Sequence, residues 1–299
     1  MLPEKTWRAD AILRLFLSVV VCYFAGAFLI AALQFGGGPS FSAAARFYAL
    51  LIGSIFLLGV TLAMLMRPWE LQDSLVKVAA TLFCFYAGLT LGAFAARMAG
   101  VIQPSVTQMI VSSFSLQGAL LLFAGPFLRG HELSWSEAFG LKNHPRRAIL
   151  AGMAVGCMYL PLGLLLQAAS AHLMTWLHLA PAQQQVVQTL QVDKGSAGRA
   201  LFGVITILLV PPAEECFFRG ILYRWIKSSG FPITALWTTS LLFGVVHWNL
   251  ASFVPLTLFA VALALLYAKT GNLLAPIAAH AFFNAANLAE LYYLEHVLK

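Results

Sequence analysis

Seven residues in the last third of the chain have types and spacings suited to chemistry: Glu214, Glu215 and Arg219; Phe243 and His247; His280 and Asn284. Glu215 and Arg219 are four apart with the acid first, so on a helix they share a face and pair. Glu214 lies about 100° around that helix from Glu215, with no cation on its own face, which makes it a candidate base. The structural alternative, both acids sharing Arg219, sets two carboxylates competing for one cation. His280 and Asn284, again four apart, present an imidazole and an amide to one side, and His247 projects from a different segment. Phe243 reads as packing that positions His247. A carboxylate and an imidazole can hold and deprotonate a water, while a second imidazole and an amide NH2 can donate to an oxyanion, so the set points to hydrolysis. A nucleophilic serine or cysteine mechanism has no support. Ser196, Ser228, Ser229, Ser240 and Ser252 lack the GxSxG context, and Cys216 has no evident activating base.

These groups must be positioned in an apolar setting. The chain is 61% hydrophobic and 10% charged with a mean hydropathy of +0.84, which excludes a soluble globule and predicts an all-α, polytopic transmembrane helical bundle. Spans need roughly 20 mainly apolar residues. About nine segments qualify on that scale, near 11–33, 45–66, 75–96, 105–128, 147–171, 199–221, 232–250, 253–268 and 272–291, for 8–9 spans. An ionised group at bilayer depth costs about 2.5–3.5 kcal/mol even on forgiving scales, so the polar residues of the last segments should face a cavity and have a function. Pro211-Pro212 predicts a helix break at 210–212, with the carboxylates in the first turn of the continuing helix. Bringing His247 to the depth of Glu214 requires the seventh span to start near Trp237 and run past Trp248 and Asn249.

With a cytoplasmic N-terminus, thirteen of the eighteen Lys and Arg fall on the cytoplasmic side, as the positive-inside rule prefers. The formal charge of +7 is then a topological signal rather than a sign of nucleic-acid binding. MLPEKTWR followed by a long apolar run reads as a retained signal anchor. Cys22, Cys84, Cys157 and Cys216 sit in apolar segments without CxxC spacing and read as small hydrophobes.

The expected organisation is an N-terminal transmembrane extension over 1–128, an interfacial cytoplasmic segment over 129–146, RGHELSWSEAFGLKNHPR, and a core over 147–299. The small-xxx-small pairs Gly88/Gly92 and Gly152/Gly156 predict close helix packing.

Glu214-Glu215-xxx-Arg219, Phe243-xxx-His247 and His280-xxx-Asn284, in that order on successive apolar segments, resemble the three motifs of the CAAX prenyl protease 2 and bacteriocin-processing (CPBP, or Abi) family of intramembrane endopeptidases. The match covers roughly 199–287. It implies peptide-bond cleavage within the membrane, with Glu214 and His247 activating water, His280 and Asn284 binding the oxyanion, and Glu215 and Arg219 supporting the site. It further implies a membrane-associated peptide or protein substrate and a multi-pass protein of a bacterial-type plasma membrane. If the enzyme used zinc, Glu214, His247 and His280 would be the ligands. The lack of HExxH and the presence of Asn284 favour a metal-independent glutamate mechanism. The alternatives are a transporter, which also builds sites from broken helices, and a non-catalytic bacteriocin-immunity or scaffold protein.

Overall fold

The computed structural model describes residues 7–35, 41–67, 74–100, 105–180, 185–192 and 195–297. Among them every regular element is helical: α1 Ala9–Gln34, α2 Phe41–Leu65, α3 Ser74–Ala99, α4 Val106–Ser113, a π-helical turn at Phe114–Gly118, α5 Ala119–Arg129, α6 Trp135–Phe139, α7 Pro145–Trp176 and α8 Gln185–Val192. The motif-bearing region continues with α9 Ser196–Leu208, α10 Val210–Glu215, a π-helical segment Cys216–Tyr223, α11 Arg224–Ser228, α12 Pro232–Val245, α13 Leu250–Thr270 and α14 Leu274–Val297. The expected all-α, multi-pass architecture is therefore present.

Among the described residues seven helical stretches are long and apolar enough to cross a bilayer, including Val106–Arg129, which joins α4 to α5, and Ala197–Ser228, which takes in α9 to α11. The two remaining segments of the sequence reading are α12 and α14. α12 is 14 residues long, short of a full crossing. In α14 the apolar run is diluted by His280, Asn284 and Glu290.

The chain folds as two compact units, one of residues 8–127 and one of Trp7 with the described residues from 128 onwards. In the first unit α1, α2 and α3 share a core of Val21, Phe28, Phe47, Leu51, Leu58, Leu65 and Ala95. Gly88 and Gly92 let α3 approach its neighbours. A methyl group at Gly88 would press on Leu58, and one at Gly92 would run into the Phe28 ring. Ser54 adds a hydrogen bond from Oγ to the Gly88 carbonyl at 2.7 Å.

In the second unit α7 lies along α14, which also borders α9, α10 and α13. Gly152 and Gly156 serve that contact. Side chains there would meet the Ala275 carbonyl and the Ala279 backbone. Tyr159, Phe259, Leu263, Ala275 and Ala279 fill the seam, and the Tyr159 hydroxyl donates to the Pro255 carbonyl at 2.6 Å. The 129–146 stretch contains α6, opened by a capping box in which the Glu137 N–H donates to Ser134 Oγ and the Ser134 N–H to the Glu137 carboxylate.

Candidate active site

α9 ends at Leu208, and Leu209 stands outside the helix before α10 restarts at Val210. Pro211 and Pro212 occupy the opening positions of α10, where a missing N–H costs nothing. The break thus comes just before the predicted 210–212. The carboxylates are the fifth and sixth residues of α10, VPPAEE, not in its first turn as predicted, because the helix restarts ahead of the prolines. The next eight residues, Cys216–Tyr223, are π-helical, a form concentrated at functional sites.

Glu215 is fully buried and is the hub of the site. Its Oε1 accepts from Arg219 Nη1 at 2.9 Å and is also 2.9 Å from His280 Nδ1. An ionised carboxylate only accepts, so the His280 proton in that bond sits on Nδ1. Arg219, equally buried, donates from Nη2 to the Ala260 carbonyl on α13 at 3.1 Å and lies 4.7 Å from the centre of the Phe243 ring. One charge pair therefore ties the Glu helix to both α13 and α14. The predicted Glu215–Arg219 pairing is present. The Glu215–His280 link is one that sequence spacing missed, since 65 residues separate the partners.

The other ring nitrogen of His280 is directed at Glu214, with Nε2 3.9 Å from Oε2. That separation is too long for a direct hydrogen bond. His280 itself is buried, its ring edge-on to Phe259 at 5.9 Å and to Phe243 at 5.6 Å.

His247 does not lie on a helix. α12 stops at Val245, and 246–249 form a turn before α13, whose start is capped by the Asn249 side chain accepting from the Ser252 N–H at 2.9 Å. The expected extension of the seventh span past Trp248 and Asn249 is therefore incorrect. α12 and α13 pack against each other across this turn, and the imidazole stands just past the end of the short α12, beside Phe243. Trp248, at φ 49° and 91% exposed, accepts a left-handed conformation that costs a bulky residue about 1–2 kcal/mol. His247 Nδ1 is 2.7 Å from the Phe243 carbonyl oxygen, which only accepts. Nε2 is thereby left as the ring's acceptor. The His247 and Phe243 ring centres are 4.9 Å apart, so Phe243 stands against both imidazoles and the Arg219 guanidinium.

Asn284 lies one turn beyond His280 and donates from Nδ2 to the Thr206 carbonyl on α9 at 3.0 Å. Sequence reasoning did not single out Thr206. Among the described residues no three His, Cys, Asp or Glu side chains are grouped to hold a metal ion.

Buried Glu215, Arg219 and His280, with half-buried Glu214 and His247 beside them, form a polar cluster within a helical membrane protein. Residues 196–286 match the family described as Rce1-like, type II CAAX prenyl endopeptidase. The three motifs fall within this segment, so the resemblance they carry and the match to that family of peptidases coincide. A stretch of 116 residues is 32% identical to the uncharacterized protein YpbD of Bacillus subtilis (strain 168), covering 35% of this chain and 57% of that protein. No solved structure matches the chain.

Proposed function

We propose that the protein is an intramembrane endopeptidase that hydrolyses a peptide bond of a membrane-associated peptide or protein by a glutamate mechanism. The observation that carries this reading is the division of labour between the adjacent carboxylates: Glu215 is held by Arg219 and His280, while Glu214 stands 3.9 Å from the His280 ring. A water hydrogen-bonded to both Glu214 and His280 fits that spacing. Such a water donates one O–H to Glu214 and the other to the Nε2 lone pair of His247, and its oxygen accepts from His280 Nε2 when that ring carries both protons.

Glu214 takes a proton from the water as its oxygen attacks the carbonyl carbon. The oxyanion accepts from the second Nδ2–H of Asn284, whose first is fixed on Thr206. It also accepts from His280 Nε2 when that ring carries both protons and its charge faces Glu215. Collapse breaks the C–N bond, and the proton on Glu214 passes to the leaving amine, so atoms and charge balance. General base catalysis of this kind contributes about 10²–10⁴-fold.

The excess of Lys and Arg supports a cytoplasmic N-terminus, in a bacterial-type plasma membrane. Arg224 and Lys227, close after the Glu-bearing segment, support substrate entry laterally or from the cytoplasmic face.

The test is cleavage of membrane peptides by protein in sealed liposomes, comparing wild type with Glu214→Ala and His247→Ala, with solute flux followed in parallel. Product from wild type alone supports the proposal. Equal product from all three, or flux without cleavage, overturns it, the latter in favour of a transporter.

A further inference from the structure

We infer that Asn272 and Arg224 are positioning residues for this site, acting through the 134–144 segment, to which both the Glu-bearing and the His280-bearing helices are fastened. The inference rests on the peptidase reading. Its physical content is a fixed axial offset between those two helices.

On the Glu side, the Arg224 guanidinium donates to the Ala138 carbonyl at the end of α6 and lies 4.8 Å from the Trp7 ring centre. Trp7, itself buried, donates its indole N–H to the Gly220 carbonyl of the π-helical segment at 3.2 Å. Gly220 is pressed against Phe139 so closely that a side chain there would enter the ring.

On the His side, Asn272 is fully buried and uses both ends of its amide. Nδ2 donates to the Asn143 carbonyl at 2.8 Å and the Leu141 carbonyl at 3.4 Å, while Oδ1 accepts from the Leu274 N–H at the start of α14 at 2.9 Å. The Leu273 N–H reaches the Phe139 carbonyl at 3.0 Å. Gly140 and Gly271, both left-handed at φ 66° and 59°, meet there, and a side chain on Gly140 would strike the Gly271 carbonyl.

Phe139 thus touches one active-site helix with its ring and the other with its carbonyl. Glu215 is five residues before Gly220, and His280 is eight after Asn272, about 12 Å of helix. Sliding either helix lengthens the Glu215–His280 contact at 2.9 Å. A misplacement of about 1 Å can cost ~10²-fold in rate.

Asn272→Asp separates the two jobs of the amide. It keeps an acceptor for the Leu274 N–H and loses the donor to 141 and 143. Arg224→Lys keeps the charge but loses the planar fork, and serves if the first variant is too unstable. The readout is the pair of ring-nitrogen resonances of His280 in full-length, histidine-labelled protein in lipid nanodiscs, assigned with His280→Gln. In wild type Nδ1 should report a protonated nitrogen bonded to carboxylate. Each variant should shift that resonance towards a mixture of tautomers while helix content is unchanged. In a cleavage assay kcat should fall ~10–100-fold with KM little altered. Variants that melt earlier yet leave both His280 resonances unmoved would make the segment merely structural and overturn the inference. Absence of cleavage by wild type would instead defeat the peptidase reading, and the resonances would still judge the latch.

Discussion

Glu215→Gln should destabilise the protein far more than an ordinary surface change, and the geometry sets the size. Glu215 is completely buried and receives two bonds of 2.9 Å, from Arg219 and from His280. Each bond to a charged partner contributes about 1.5–3 kcal/mol, but removing one member of a buried pair costs about 3–5 kcal/mol because the remaining charge is uncompensated. The second quantity decides, since Arg219 would lose its paired carboxylate and keep the Ala260 carbonyl at 3.1 Å and the Phe243 and Phe218 ring faces. Arg219→Met should cost less, because Glu215 retains His280. The double variant Glu215→Leu/Arg219→Met removes both charges and should recover most of the stability, as replacing a whole buried pair by apolar groups often does. It should not recover cleavage, because His280 Nδ1 has lost its acceptor. Detergent-solubilised protein titrated with SDS gives the stabilities, with peptide cleavage assayed alongside. A double variant as unstable as Glu215→Gln, or one that cleaves at the wild-type rate, would refute this assignment of Glu215.

Other residues give separate tests. Gly152→Val should disrupt the α7–α14 seam by driving a side chain into the Ala275 carbonyl, costing about 1–3 kcal/mol or more, read as a lower SDS midpoint. Asn284→Ala should reduce kcat by about 10²–10³ with little change in KM, measured by steady-state cleavage. The Ser134 hydroxyl and backbone N–H hold the Glu137 carboxyl below its usual range. Its folded value is depressed, so the stabilisation of α6 is present above the unfolded value and lost as pH falls through the folded one. The difference in thermal midpoint between wild type and Glu137→Gln should therefore be constant at neutral pH and close as pH drops below the ordinary carboxylate range.

Much of the site was legible because its local pairs obey helical spacing. Glu215 with Arg219 shares a face within one turn, and the apolar runs that carry all three motifs are continuous enough to mark as membrane segments. What spacing could not supply was contact between distant segments. Glu215 to His280 and Asn284 to Thr206 depend on how α10, α14 and α9 pack. The position of His247 was misread for a different reason. Apolar composition runs unbroken through 232–250, yet Trp248 takes a left-handed conformation and Asn249 caps a new helix, so a hairpin looked like one long span. The 129–146 segment stands out in the sequence by its mixed composition. Its fastening by the buried Asn272 leaves no periodic signature, because one asparagine after a glycine resembles any turn.

The most direct test of the central claim is the turnover of a cleavable membrane peptide by wild type and Glu214→Gln at equal folded concentration, each with and without a zinc chelator. Wild type should be indifferent to the chelator, and Glu214→Gln should be slower by at least ~10²-fold. A Glu214→Gln enzyme as fast as wild type, or wild-type activity abolished by chelation and restored by zinc, would contradict water activation by this carboxylate.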